Sequence, residues 1–112
     1  MKTIPKKLND ELNEDLFYKK CCLRWFFGCS GRVERHHNLI FGGRQVQAKF
    51  AILPACSLHH SLARSREGND RFNWVMLNRA SDEELETYSK VVNLKFERDR
   101  LNKIYGVWQQ TN

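Results

Sequence analysis

Leu8, Leu12 and Leu16 recur every fourth residue near the start of the chain, with Phe17 beside them and polar residues between. That spacing marks one face of an amphipathic helix over residues 8–20. Asp10 and Glu11 lie early in it and Lys19-Lys20 late, as the helix macrodipole favours. From Cys21 to Pro54 the helical period disappears, and Gly28, Gly31, Gly42 and Gly43 punctuate the segment. Phe41-Gly42-Gly43-Arg44 reads as a turn between extended runs over Val33–Phe41 and Val46–Leu53, a β-hairpin with a longer loop. Ser57–Ser65 contains neither Gly nor Pro and sets Leu58 and Leu62 four apart, so a helix is expected to start near Ser57.

Gly68 reads as a break, after which Asn69-Asp70 caps a helix over Arg71–Arg79. Its apolar residues Phe72, Trp74, Val75, Met76 and Leu77 almost encircle the axis, which predicts deep burial. Ser81-Asp82-Glu83-Glu84 is a capping box, opening a helix that runs through Leu85, Tyr88 and Val92. Leu94, Leu101 and Tyr105 follow a second apolar phase, so a bend or break is expected near Asn93, with Gly106 as a stop. No internal repeat, low-complexity tract or linker interrupts the 112 residues, a length suited to one domain. The fold class expected is α+β.

Hydrophobic residues make up 41% of the chain and aromatics 12%, enough for a modest core and too much for a wholly disordered chain. Met1-Lys2-Thr3-Ile4-Pro5-Lys6-Lys7 is followed by no apolar stretch, so no signal peptide is expected. No segment approaches the roughly 20 apolar residues of a membrane span. These features predict a soluble, cytoplasmic chain with no membrane partner. Trp25-Phe26-Phe27 could stack on bases beside Arg24, but an aromatic triplet reads better as core. Trp108, near a polar tail, lies between the same two readings.

Cysteines and histidines change the picture more. All four histidines sit in two doublets, Glu34-Arg35-His36-His37-Asn38 and Pro54-Ala55-Cys56-Ser57-Leu58-His59-His60. Adjacent imidazoles point in different directions on any regular element, so packing explains a doublet poorly, and nearby cysteines suggest metal. In a reducing compartment, Cys21, Cys22, Cys29 and Cys56 argue for metal or redox use rather than disulfides. Net charge sharpens the reading. Residues 21–66 carry seven Lys/Arg against Glu34 alone, and this accounts for the whole excess of +6. Six of those cations are arginine, whose planar fork suits phosphate oxygens, so the expected partner is a polyanion, most simply nucleic acid.

A structural zinc takes four ligands, usually as two close pairs. Cys56-x2-His59 is one pair. The other is Cys29 with Cys22, or with Cys21 as the alternative, enclosing a six-residue loop. His36, His37 and His60 remain. Two of them can hold a second divalent cation in an open site, while the third, kept neutral, takes a proton from water.

A histidine doublet, a hairpin with a glycine turn, and Pro-x-Cys-x-x-His-His opening a helix together resemble the HNH, or ββα-metal, endonucleases. The likeness is to the small zinc-stabilised members common in phages and mobile elements, and it covers about residues 21–65. It implies a zinc and ββα-metal core over residues 21–66. With the N-terminal helix (1–20) and the helical extension (67–112), which the likeness does not cover, the chain reads as a single nuclease domain over residues 1–112. It further implies metal-dependent cutting or nicking of DNA, most simply double-stranded, in a bacterial or phage-infected cell. His36 and His60 would ligate the catalytic cation (Mg2+, Mn2+, Ni2+ or a second Zn2+), and His37 would be the general base. Arg35 and Arg44 are the candidates for phosphate contacts. Glu34 reads as the partner of an arginine or as support for a metal ligand, the former ranked first. Lys49-Phe50-Ala51-Ile52-Leu53 holds no asparagine where the family carries its middle one. Arg64 stands one turn after His60, where many members carry another histidine. The competing expectation is a zinc-stabilised nucleic-acid-binding module that does not cut. A homodimer is compatible with the C-terminal helices, although nothing in their pattern demands it.

Overall fold

The computed structural model describes residues 4–26, 28–90 and 92–107. Its helices are α1 (Lys6–Glu14), α2 (Ser57–Ser61), α3 (Arg66–Arg79), α4 (Asp82–Tyr88) and α5 (Leu94–Tyr105). Its strands are β1 (Val33–His37), β2 (Ile40–Phe41), β3 (Arg44–Gln45) and β4 (Ile52–Cys56), with short helical turns at Leu16–Lys19 and Lys49–Ala51. The architecture is α+β, with two small antiparallel sheets. Among the described residues no helix is long and apolar enough to cross a membrane.

β1 pairs with β4, Val33 opposite Cys56 and His37 opposite Ile52, and β2 pairs with β3. Gly42 and Gly43, with φ of 62° and 77°, form the two-residue turn between β2 and β3. Both angles lie in the left-handed region that side chains avoid and hairpin turns require. The hairpin differs from the continuous one expected, because residues 38–39 on the outgoing side face residues 46–51 on the return. The surplus coils into the Lys49–Ala51 turn. Asn38 N–H donates to the Ala51 carbonyl (2.8 Å) and Val46 N–H to that of Leu39 (3.0 Å), closing both ends of the bulge. The Tyr18 hydroxyl holds it from outside, 2.6 Å from the Lys49 carbonyl and 2.8 Å from that of Ile52. Burial pushes this phenol up to about 12, so it remains a donor.

Every residue of β4 is buried. Leu53, Ala55 and Cys56 join Phe50 and the apolar residues of α3, α4 and α5 (Phe72, Val75, Met76, Leu77, Leu85, Leu94, Leu101) in the main core. Ile52, whose side chain leaves the opposite face of the strand from that of Leu53, meets Leu12 and Tyr18 in a smaller cluster that holds the N-terminal segment. β4 is therefore the shared wall between two cores, and α2 grows directly from its end.

Three boundaries depart from the sequence pattern for identifiable reasons. The first helix stops at Glu14, because the Asp15 carboxylate accepts the Phe17 N–H (2.9 Å) and pairs with Lys49 (2.8 Å), leaving Leu16 exposed. α2 ends at Ser61, where the Ser61 and Ser65 hydroxyls donate to the carbonyls of Leu58 and Leu62 and compete with further helix. α3 starts earlier than expected, capped by Ser65, with Gly68 inside it. A Cβ on Gly68 would fall 2.1 Å from the Leu62 carbonyl oxygen, so this glycine permits a close approach and breaks nothing. The Ser81 capping box, the Asn93 break and the Gly106 stop fall where expected, although α4 ends at Tyr88, short of Val92. Of the aromatic triplet, Phe26 packs on the core while Trp25 is 61% exposed. Phe27 and Trp108 lie outside the described residues.

Candidate metal centres

The end of β4 and the first turn of α2 set Cys56 and His59 side by side, with the His59 N–H donating to the Cys56 thiol (3.4 Å). The loop that precedes β1 brings up Cys21 and Cys29. His59 Nδ1 lies 3.0 Å from the Sγ of Cys56, 3.4 Å from that of Cys21 and 3.7 Å from that of Cys29. All four ligand atoms lie within 4.8 Å of one another. Zinc bonds of about 2.3 Å to sulfur and 2.0 Å to nitrogen, at tetrahedral angles, separate the two by about 3.5 Å. The cluster fits a tetrahedral zinc.

Without a cation, most of the cluster's thiols are held in the protonated form. Burial and neighbouring thiols push Cys29 up to about 12 and raise Cys21. Burial also opposes ionisation of Cys56, but N–H groups of His59 and Ser30 and the adjacent thiols outweigh it and lower that thiol. Burial holds His59 below the ordinary histidine value, in the neutral form that ligates metal. Three thiols this close ionise together only around a shared cation.

Cys22, ranked above Cys21 on sequence, is not part of the cluster. Its backbone N–H donates to the Pro54 carbonyl (2.8 Å) and its side chain is buried in the core, where loss of solvation holds the thiol well above its ordinary value. The neighbouring Cys21 is equally buried, but its sulfur joins those of Cys29 and Cys56 around His59. All four cysteines are free.

A second constellation is built on β1, whose alternation sends Glu34 and His36 to one face and Arg35 and His37 to the other. His60, one residue beyond the thiol cluster, stands across from His36 with ring centroids 4.9 Å apart. Glu34 Oε1 lies 2.7 Å from His60 Nδ1, and the Ser57 hydroxyl is 3.3 Å from the other carboxylate oxygen. The His60 hydrogen bond is the main reason Glu34 sits below the usual carboxylate range. Glu34 therefore pairs with His60 rather than with the arginine that the sequence leads one to expect first. His36 packs against Phe72, centroids 4.6 Å apart, and its Nε2 lies 2.9 Å from Asn38 Oδ1. The Asn38 amide in turn donates to Asn73 Oδ1 of α3 (2.9 Å). Burial lowers the pKa of His36 despite the Asn38 contact, and His60 and His37 reinforce the shift. Asn38 and Glu34 each engage one ring nitrogen, leaving Nδ1 of His36 and Nε2 of His60 as the available donor atoms. A shallow cleft lined by Glu34, Ser57, His60, Ser61 and Arg64 opens beside them.

His37 is held apart from this pair, its Nε2 3.2 Å from Gln47 Oε1 in the bulge. Arg35 is turned away from the cleft, donating to Asn13 Oδ1 (2.8 Å) with its guanidinium 5.1 Å over the Tyr18 ring. Arg44 is exposed at the hairpin tip. Arg64, by contrast, borders the cleft from the turn that follows α2. Asn38 was detectable as the residue two beyond His36 on an extended run. Gln47 and Asn73 have no local signal; the bulge brings Gln47 to His37, and α3 brings Asn73 to Asn38.

Comparison with family models, curated proteins and solved structures returned no match for this chain.

Proposed function

We propose that the chain is a metal-dependent DNA endonuclease or nickase of the HNH type, with a structural zinc in the Cys21–Cys29–Cys56–His59 cluster and a catalytic cation on His36 and His60. The observation that carries the reading is the His36–His60 pair. Two imidazoles from different elements face each other, each with one nitrogen engaged by a neighbouring side chain, next to a thiol cluster that stiffens the junction of β4 and α2. Carboxylate or amide support behind a histidine is the usual second layer of a metal site. Imidazole donors suit Ni2+ or Zn2+ better than Mg2+. When bound, the cation would stabilise charge on the phosphate and on the departing 3′ oxygen.

The protein's own groups supply the rest. With Gln47 Oε1 accepting from Nε2–H, His37 carries its proton there and leaves Nδ1 as a base for the attacking water. From the face of β1 opposite His36, His37 would take a proton from the attacking water as its oxygen bonds to phosphorus. The phosphorus–3′-oxygen bond breaks, and the departing 3′ oxygen takes a proton from solvent water. Arg64 borders the cleft and is the better phosphate contact than Arg35, whose guanidinium is engaged at α1. Arg44 remains a candidate contact at the hairpin tip.

The alternative, a zinc-stabilised module that binds nucleic acid without cutting, draws on one observation: each of the three histidines already has a polar side-chain partner. Plasmid nicking separates the two readings. With Mg2+, Mn2+ or Ni2+ added, wild-type protein should convert supercoiled DNA to open circles. His37→Ala should not, while keeping its zinc and its fold. DNA binding without cutting under all of these metals would favour the module.

A further inference from the structure

Both ends of the Cys21–Cys29 loop are anchored in the thiol cluster, and between them the loop presents Trp25 to solvent with the half-buried Arg24 beside it. Trp25 is 61% exposed. The Arg24 guanidinium lies 4.4 Å from the centroid of its ring and is steadied by donation from Nη1 to the Cys21 carbonyl (3.2 Å). Phe26, the next residue, is fixed from behind: Arg71 sits 3.8 Å over its ring, and the ring stands 6.1 Å from that of His59. A large aromatic ring is thus presented to solvent beside a cation, on a short loop held at both ends.

We propose that Arg24 and Trp25 form a stacking platform for an unpaired nucleobase, so that the protein engages single-stranded or frayed DNA in preference to intact duplex. An indole offers a base-sized π-face that any base can use, and a neighbouring arginine adds cation–π and phosphate attraction. In a duplex those base faces are already stacked on one another, so only an unpaired base gains. Charge decides between a polyanion and an apolar protein surface. The loop carries Arg24 and no acidic residue, inside a segment with seven cations and one carboxylate. This inference rests on the nucleic-acid part of the reading above and is independent of cleavage.

The test is fluorescence anisotropy of the zinc-loaded chain with a labelled oligonucleotide of about a dozen nucleotides, single-stranded and as its duplex. Wild-type protein should bind the single strand more tightly. Trp25→Ala should weaken that binding about tenfold and leave the duplex unaffected. Trp25→Phe, which keeps a π-face, should recover most of the loss, with zinc content and circular dichroism unchanged in both variants. Unchanged single-strand affinity in Trp25→Ala, or equal loss on both DNAs, would overturn the platform. So would a wild-type dimer that Trp25→Ala dissolves while DNA binding persists, because the ring would then be a protein contact. If neither DNA binds, both this inference and the functional reading fall. Trp25-dependent single-strand binding without nicking under any metal would leave the platform standing and remove the cleavage reading alone.

Discussion

Glu34 and His60 are 26 positions apart in the chain, yet carboxylate Oε1 and imidazole Nδ1 lie 2.7 Å from each other. The contact exists because β1 pairs with β4 and α2 continues from the last residue of β4, so the first turn of the helix leans over the first residues of the strand. It fixes which nitrogen of His60 is free. It also brings the single carboxylate of the basic segment to the cleft.

Replacing that carboxylate should loosen the cation more than the fold. Glu34→Gln keeps a hydrogen-bonding oxygen but removes the charge behind His60, and losses of about 10- to 100-fold in metal affinity are usual for such support. Isothermal titration of Mn2+ into zinc-loaded protein checks this. Stability should hardly move, because Glu34 is exposed.

The two adjacent cysteines should separate cleanly. Cys21→Ser should abolish the zinc binding proposed for the cluster and loosen the structure near the end of β4. Cys22→Ala should keep the zinc and destabilise the protein by about 1–2 kcal/mol through a small core void. Metal content after dialysis and urea unfolding distinguish the outcomes.

Much of this arrangement is legible in the residues alone, and the rest fails for physical reasons. Cys56, His59 and His60 sit on one strand–helix junction with fixed spacing, so their proximity follows from local structure. The choice between Cys21 and Cys22 does not, because both are buried and it depends on which sulfur the folded loop turns toward Cys29, Cys56 and His59. Gly68 looked like a helix breaker because a glycine required by the Leu62 carbonyl cannot be told from a stop signal without the packing. The bulge at residues 46–51 escaped for a similar reason. Its outside support comes from Tyr18, in a segment that carries no chemistry of its own.

The bulge matters for His37. Gln47→Leu removes the acceptor that holds the proton on Nε2 and should reduce cutting about tenfold while leaving metal affinity near wild type. Nitrogen-15 NMR of His37 reads the tautomer directly. The wild type should show Nε2–H and the variant a mixture. A wild-type ring protonated on Nδ1 would remove its role as base.

His36 predicts a pH dependence. Burial holds its folded pKa below the ordinary 6.5, so the unfolded chain binds the proton more readily than the folded one. Stability from this group is complete above the unfolded value and is lost as pH falls from there through the folded value. The thermal midpoint should therefore drop between neutral pH and about 5, and His36→Gln should drop less steeply over the same range. Release of a zinc from the thiol cluster on acidification would affect both proteins alike, so the difference between their slopes reports His36.

The claim that neighbouring histidines hold two different metals is tested most directly by counting them. Zinc-loaded wild-type protein, dialysed and then titrated with Mn2+ while plasmid nicking is followed, should retain about one zinc per chain and bind about one exchangeable Mn2+. Nicking should rise with Mn2+ occupancy. His60→Ala should keep the zinc and lose both the Mn2+ and the nicking. A His60→Ala protein that binds Mn2+ and nicks as wild type does would contradict the account.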